Sequence, residues 1–145
     1  MKRERSCGAV IFHKSDGKIE YLLLHYPSGH WDFVKGNVEK GEKEEETAIR
    51  EAKEETGLSV NIVSGFKESI SYFYRHKELI SKEVIFFLAE ANSRHVKLSF
   101  EHKGFRWLPF DEAHKLVTYE NSKAVLKKAN EFLKSVKKKN LKEFL

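Results

Sequence analysis

The sequence predicts one α+β domain, and three observations carry that expectation. Segments rich in β-branched and aromatic residues recur through residues 5–108, a charged stretch from Glu39 to Glu55 ends on Gly57, and apolar residues at helical spacing return only after residue 109. A chain of 145 residues suits a single domain, which at this size buries roughly 70% of the surface its unfolded form exposes. Hydrophobic residues make up 40% of it, with 11 Phe, 5 Tyr and 2 Trp, enough for a core without disulfide staples.

Residues 5–13 and 19–26 are β-rich and are joined by Ser15-Asp16-Gly17-Lys18, where Asp-Gly supplies the positive φ angles of a tight hairpin. A loop at Pro27, Ser28 and Gly29 follows, and Trp31 to Lys35 has room only for a short extended piece before Gly36. Between Glu39 and Glu55 eight acids face four bases. With Gly57 placed as a C-cap, this stretch predicts a helix of about four turns starting near Lys43. Leu58–Val63, Phe66–Tyr74, Glu83–Ala91 and Phe105–Leu108 read as further strands. Pro109, Asp111 and Glu112 mark a helix start, and Leu116, Val125, Leu126, Phe132 and Leu133 predict one helix over residues 113–136. No repeat, low-complexity linker or second domain is expected: residues 1–133 form the domain and 134–145 a Lys-rich extension of the last helix or a tail.

Charge and cysteine content narrow the function classes. The net charge of +5 is concentrated in residues 134–145, which carry five Lys and one Glu, so the remaining 133 residues hold only +1. A Lys-rich end is usually a solvated one, and nucleic acid is not the expected partner. The single Cys7 excludes an internal disulfide, and the N-terminal segment carries no long apolar run, which predicts a reducing, cytoplasmic setting. The longest purely apolar run, Val84 to Ala89, is far short of the ~20 residues of a membrane-spanning helix, so no membrane partner is expected.

The chemistry is concentrated in the first helix. At helical periodicity Glu51 and Glu55 lie about 40° apart, with Glu54 about 60° to the other side of Glu51. Two such charges 4 Å apart repel by about 4 kcal/mol at an effective dielectric near 20, a penalty that solvent or a hard divalent cation relieves. The same residues also fit a solvated helix, with Glu46, Arg50 and Glu54 forming an i, i+4 ladder worth ~0.3–0.5 kcal/mol per pair.

The frame around these residues is more specific. Residues 36–58 read GNVEKGEKEEETAIREAKEETGL, with Gly36, Glu42, Arg50, Glu51, Glu54, Glu55 and Gly57 at every literal position of the pattern G-x5-E-x7-R-E-U-x-E-E-x-G-U. Seven fixed identities coincide by chance on the order of 10⁻⁷ per starting point at ordinary residue frequencies. The segment resembles the Nudix box. The resemblance implies the Nudix fold, a mixed β-sheet sandwiched between helices (α/β/α). It also implies a metal-dependent hydrolase of a diphosphate linked to another group. On that reading Gly36, Glu51, Glu54 and Glu55 hold Mg²⁺ or Mn²⁺, the carboxylates activate water, and Arg50 pairs with Glu42 to hold the loop against the helix. Ala48, Ile49 and Ala52 are expected to dock the helix on the sheet, leaving the carboxylates outward.

Looser patterns outside the box narrow the substrate. CGAVIF at residues 7–12, GHWDFVKGNVEKGE around Trp31, GFKESISYFYRH at 65–76, KEVIFFLAE at 82–90 and FEHKGFRWL at 100–108 are similar to the asymmetrically cleaving bis(5′-nucleosyl)-tetraphosphatases, which split diadenosine tetraphosphate into ATP and AMP. That similarity implies Lys35 and Lys82 as phosphate contacts, Tyr72 and Tyr119 as base-stacking rings, and Glu101 as a carboxylate opposite the helix that completes the metal shell or helps activate water. His30 is a candidate donor to phosphate and Trp31 a further candidate ring. A polyanion with a base at each end calls for this mixture of cations and flat rings. Two alternatives stand beside it: a Nudix enzyme acting on RNA 5′-triphosphate ends or nucleoside triphosphates, and a non-catalytic nucleotide or RNA binder. Oligomeric state is not legible in the sequence.

Overall fold

The computed structural model describes residues 1–143, with side chains described through Lys137. Its elements are β1 (Lys2–Ser15), β2 (Lys18–His25), β3 (Trp31–Asp32), β4 (Val34–Asn37), α1 (Glu44–Thr56), β5 (Val60–His76), β6 (Glu78–Ala91), β7 (Gly104–Leu108), α2 (Phe110–Leu116) and α3 (Glu120–Glu143). The sheet runs β3-β2-β1-β6-β5, with β4 joining β1 and β7 joining β2. The turn between β1 and β2 places Asp16 and Gly17 at φ of 52° and 77°, as the Asp-Gly pair predicts.

β1 organises the sheet. One edge pairs in parallel with β6 over Lys2–Phe12, while the other pairs antiparallel with β4 at Ser6–Ala9 and then with β2 at Phe12–Ser15. A strand buried on both faces must be apolar at odd and even positions alike. Residues of β1 and β6 divide accordingly. Val10, Phe12, Val84, Phe86 and Leu88 pack with Ala113, Val117, Val125, Leu126 and Ala129 on one side. Cys7, Ala9, Ile11, Ile85, Phe87 and Ala89 pack with Ala48 and Ala52 of α1 on the other. Full burial of a side chain the size of Leu88 contributes ~1.5–3 kcal/mol, and the two faces together make the α/β/α sandwich. Among the described residues no helix is long and apolar enough to cross a membrane.

The structure corrects the expected layout in three places. Residues 60–76 form one long strand rather than two, because the interruption at Val63–Phe66, with Gly65 at φ 99°, is a register shift against β6 and not a break. The expected single helix over 113–136 is two. Val117 turns to an extended ψ of 134°, and Thr118 is held by β3 on both sides: its N–H donates to Trp31 O (3.0 Å) and its hydroxyl accepts from Trp31 N–H (2.8 Å). Ile49 does not dock α1, for it is 40% exposed and only Ala48 and Ala52 reach the sheet. In the Lys-rich segment 134–145, the backbone continues α3 through Glu143, and residues 144–145 lie outside the described residues.

Candidate active site

Helix α1 is fixed at both ends by its own sequence. Lys43 N–H donates to Glu46 Oε1 (3.3 Å), three acids occupy the first turn where the helix dipole favours them, and Gly57 at φ 73° returns its N–H to Lys53 O (2.9 Å). Arg50 then ties the preceding loop to the helix. Its Nε and Nη2 form a two-pronged bond to Glu42 (2.7 and 3.0 Å), and Nη2 also donates to Asn37 O (3.0 Å). Nη1 reaches Glu51 (2.8 Å) and Glu54 (3.1 Å). The guanidinium, helped by the Thr47 hydroxyl at 2.5 Å, holds the Glu42 carboxyl down at about 2. The expected Glu42–Arg50 pairing is therefore present, and the i, i+4 bond to Glu54 is one strand of a larger clasp.

Glu51 and Glu55 occupy less ordinary surroundings. A Cβ built on Gly36 would fall among the terminal atoms of the Glu51 side chain, so the glycine at this strand position is what gives that carboxylate its place. Desolvation, then the adjacent Glu55 carboxylate, push Glu51 up to about 7 against the pull of Arg50. Glu55 does not look outward as expected: it is only 4% exposed. Its Oε1 accepts from His102 Nε2 at 2.5 Å, while its Oε2 is buried without a partner. The segment following β6 delivers His102, stitched to the end of α1 by Lys97 N–H to Thr56 O (2.8 Å) and Ser99 N–H to Glu55 O (2.9 Å). Glu101 arrives beside it, and Glu55, Glu101 and His102 bring one ligand atom each within 4.8 Å of one another.

Next to the acids lies a cavity of about 530 Å³ lined by Tyr26, His30, Asp32, Lys35, Ile70, Tyr72, Tyr119, Asn121 and Ser122. Lys35 Nζ sits 5.8 Å from the centre of the Tyr72 ring and 3.6 Å from the buried Asp32 carboxylate. Burial lowers the His30 imidazole, whose Nδ1 lies 2.8 Å from Ser28 Oγ. Tyr26 joins the two halves of the site: its ring stacks on His30 at 4.5 Å and meets His102 edge-on at 4.6 Å. Burial first, and then the negative charge of Glu55, raises the Tyr26 hydroxyl well above its usual range, and that hydroxyl donates to Phe33 O (2.5 Å).

Of the residues expected at the site, His30, Lys35, Tyr72 and Tyr119 line one cavity, while Gly36, Arg50, Glu51, Glu54, Glu55 and Glu101 gather around α1. Lys82 stands on the interior strand β6, paired with Glu4 of β1 and Tyr72 of β5, and is held by Asn37 Oδ1 (3.1 Å) and Glu4 (3.8 Å), with burial lowering its ammonium. Trp31 is not among the cavity-lining residues; it stacks flat on His25 at 4.4 Å. Tyr74 donates its hydroxyl to Glu4, and Phe73 on the opposite side of the strand is 64% exposed. Sequence reasoning missed Tyr26, Asp32 and His102. Of these only His102 left a signal, as a titratable neighbour of Glu101.

The donor set fits a hard divalent cation. Carboxylate oxygens predominate, one of them on Glu55 is buried and unpartnered, and Glu51 is destabilised as an anion by its own surroundings.

The NUDIX domain family matches residues 2–129. The asymmetrical bis(5′-nucleosyl)-tetraphosphatase of Mus musculus is 39% identical over 142 residues, covering 89% of this chain and 95% of the relative. The Caenorhabditis elegans protein of the same name is 37% identical over 135 residues, with 89% and 96% covered. A crystal structure of a C. elegans Ap4A hydrolase binary complex superposes with a TM-score of 0.81 at 37% identity, covering 91% of this chain and 98% of that one. A box complete at every literal position, on a sheet and helices of this arrangement, thus has its counterpart along nearly the whole chain, which belongs to the Nudix family of hydrolases.

Proposed function

We propose that this Nudix hydrolase cleaves dinucleoside polyphosphates, diadenosine tetraphosphate foremost, into ATP and AMP through attack of an activated water on phosphorus. The observation that carries the proposal is the junction of two unlike half-sites. A ring-lined cavity with Tyr72 and Tyr119 opens beside a set of desolvated carboxylates, and Tyr26 spans both. A base enters between planar rings whatever its identity. Lys35 and His30, on the cavity wall, meet the first phosphates, and Lys82 offsets charge further along the chain. The names of the tetraphosphatase relatives agree with this substrate class.

Glu51, Glu54 and Glu55, with Glu101 and the Gly36 carbonyl, are the groups that would hold Mg²⁺ or Mn²⁺, which when bound neutralises phosphate charge and acidifies water. A carboxylate of this set accepts the proton of the attacking water. Arg50 holds Glu51 and Glu54 in place, and His102 holds Glu55. The lone buried thiol of Cys7 suits a reducing cytoplasm as the place of action.

The test is a substrate panel with Mg²⁺: dinucleoside polyphosphates, nucleoside triphosphates and 5′-triphosphorylated RNA. ATP and AMP in equal amounts from diadenosine tetraphosphate are expected, and hydrolysis in ¹⁸O-water identifies the phosphorus attacked. Trimming of RNA ends or of triphosphates with the tetraphosphate untouched overturns the assignment. Binding of nucleotide or RNA without any turnover would instead establish a non-catalytic binder.

A further inference from the structure

The most exposed large apolar side chain among the described residues stands at the site, not away from it. Phe100 is 98% exposed, a position that a phenyl ring gains nothing from in the free protein. Its backbone is nevertheless anchored. Ser99 N–H donates to Glu55 O (2.9 Å), and His102 N–H closes a turn onto Ser99 O (3.3 Å). Phe100 is thus the outward tip of a turn whose next two residues, Glu101 and His102, sit on the Glu55 carboxylate. From the cavity, the ring contacts run His30 to Tyr26 to His102, and the turn bearing Phe100 follows. The Phe100 turn therefore joins the site through His102 and Glu55, while Tyr72 and Tyr119 line the cavity on the His30 side.

We propose that Phe100 is the platform for the second base of a dinucleoside polyphosphate. This rests on the substrate class proposed above. The cavity of about 530 Å³ takes one nucleoside, and four phosphates laid across the carboxylates carry the other base out past Glu101. There a ring of any base covers the exposed phenyl face, giving preference for substrates with two bases over those with one. Phe100 touches substrate but no reacting atom, so its contribution falls on binding and not on the chemical step.

Phe100→Ala and Phe100→Trp are compared with the wild type in Mg²⁺. The Michaelis constant for diadenosine tetraphosphate is measured alongside the competitive inhibition constant of adenosine 5′-tetraphosphate, which has the same phosphates and a single base. Phe100→Ala is expected to raise the first about tenfold, the size of one lost base–aromatic stack, with kcat and the inhibition constant unchanged, and Phe100→Trp to restore it. An unchanged Michaelis constant, or both constants rising together, overturns the role of Phe100. Failure of the wild type to cleave diadenosine tetraphosphate at all overturns the substrate assignment itself, a result visible before any variant is made.

Discussion

The raised carboxyl of Glu51 makes a sharp claim about stability. Its value is about 7 in the folded chain against an ordinary 4.5, so between these values the native state binds the proton that the unfolded state has released. Stability from this group is complete below pH 4.5 and is lost as pH rises toward 7. The loss is on the order of 3 kcal/mol, at about 1.4 kcal/mol per unit. The side chain is only 14% exposed, so little of this is screened by solvent. Glu51→Gln imitates the protonated form at every pH. In EDTA it should match the wild type near pH 4.5 and exceed it by about 3 kcal/mol at pH 8, the gap opening across pH 5–7. Urea unfolding of both proteins at four pH values reads the gap, since groups that do not touch Glu51 contribute equally to both. Mg²⁺ should close it from the other side, because an ion at one hundred times its dissociation constant stabilises only the protein that binds it, by about 2.7 kcal/mol. A gap that does not vary with pH, or a glutamine variant less stable at pH 8, would refute the claim that Glu51 is held as an anion against its surroundings.

Four further outcomes follow from the same geometry. Gly36→Ala should lower turnover about a hundredfold, the cost of displacing a reacting group by an ångström. Gly104→Ala, whose added Cβ meets nothing within 4 Å, should leave steady-state rates unchanged. Glu55→Gln should slow hydrolysis by two or more orders of magnitude with an intact circular dichroism spectrum, and turnover like the wild type would remove Glu55 from the chemistry. Tyr72→Ala should raise the Michaelis constant about tenfold while Tyr72→Phe restores it, because the ring face and not the hydroxyl receives the base; equal losses in both variants would point to the hydroxyl.

The parts of the fold legible in the sequence were those written in local chemistry. Asp16-Gly17 marks its hairpin and Gly57 its helix end through backbone preferences that need no tertiary partner. Arg50 and Glu42 stand at a spacing that brings them together once the helix exists. What was hidden depends on contacts distant in the chain. Helical periodicity runs unbroken through residue 117, yet Thr118 leaves the helix because β3 offers both a donor and an acceptor 87 residues away. Glu55 reads as one exposed acid among several until the segment around Ser99 folds over it. Tyr26 and Asp32 look like strand and loop residues, and only closure of the sheet around His30 and Lys35 turns them into walls of a cavity.

A box of this composition carries a conflict that the fold does not resolve by itself. Arg50 supplies one positive charge and meets Glu42, Glu51 and Glu54. Glu42 is satisfied so completely that its carboxyl sits at about 2, whereas Glu51, touched by the same guanidinium, is pushed up to about 7. Glu42 and Glu51 are displaced in opposite directions because the Arg50 and Thr47 hydrogen bonds outweigh desolvation at Glu42, whereas desolvation and the adjacent Glu55 outweigh Arg50 at Glu51. Substituting apolar side chains of like volume for such buried acids is often neutral or stabilising. The Glu51–Glu55 pair is therefore weak support for the fold as an isolated object, in contrast to the Glu42–Arg50 bond that holds the loop. On the proposed function, positive charge entering between the helix and the Glu101 turn would give partners to the half-used lone pairs of these acids, on Glu55 Oε2 above all. A polyphosphate laid on that charge from the Tyr72 cavity would then reach both half-sites at once, and the proposal joins the acids and the rings as a single device on that ground.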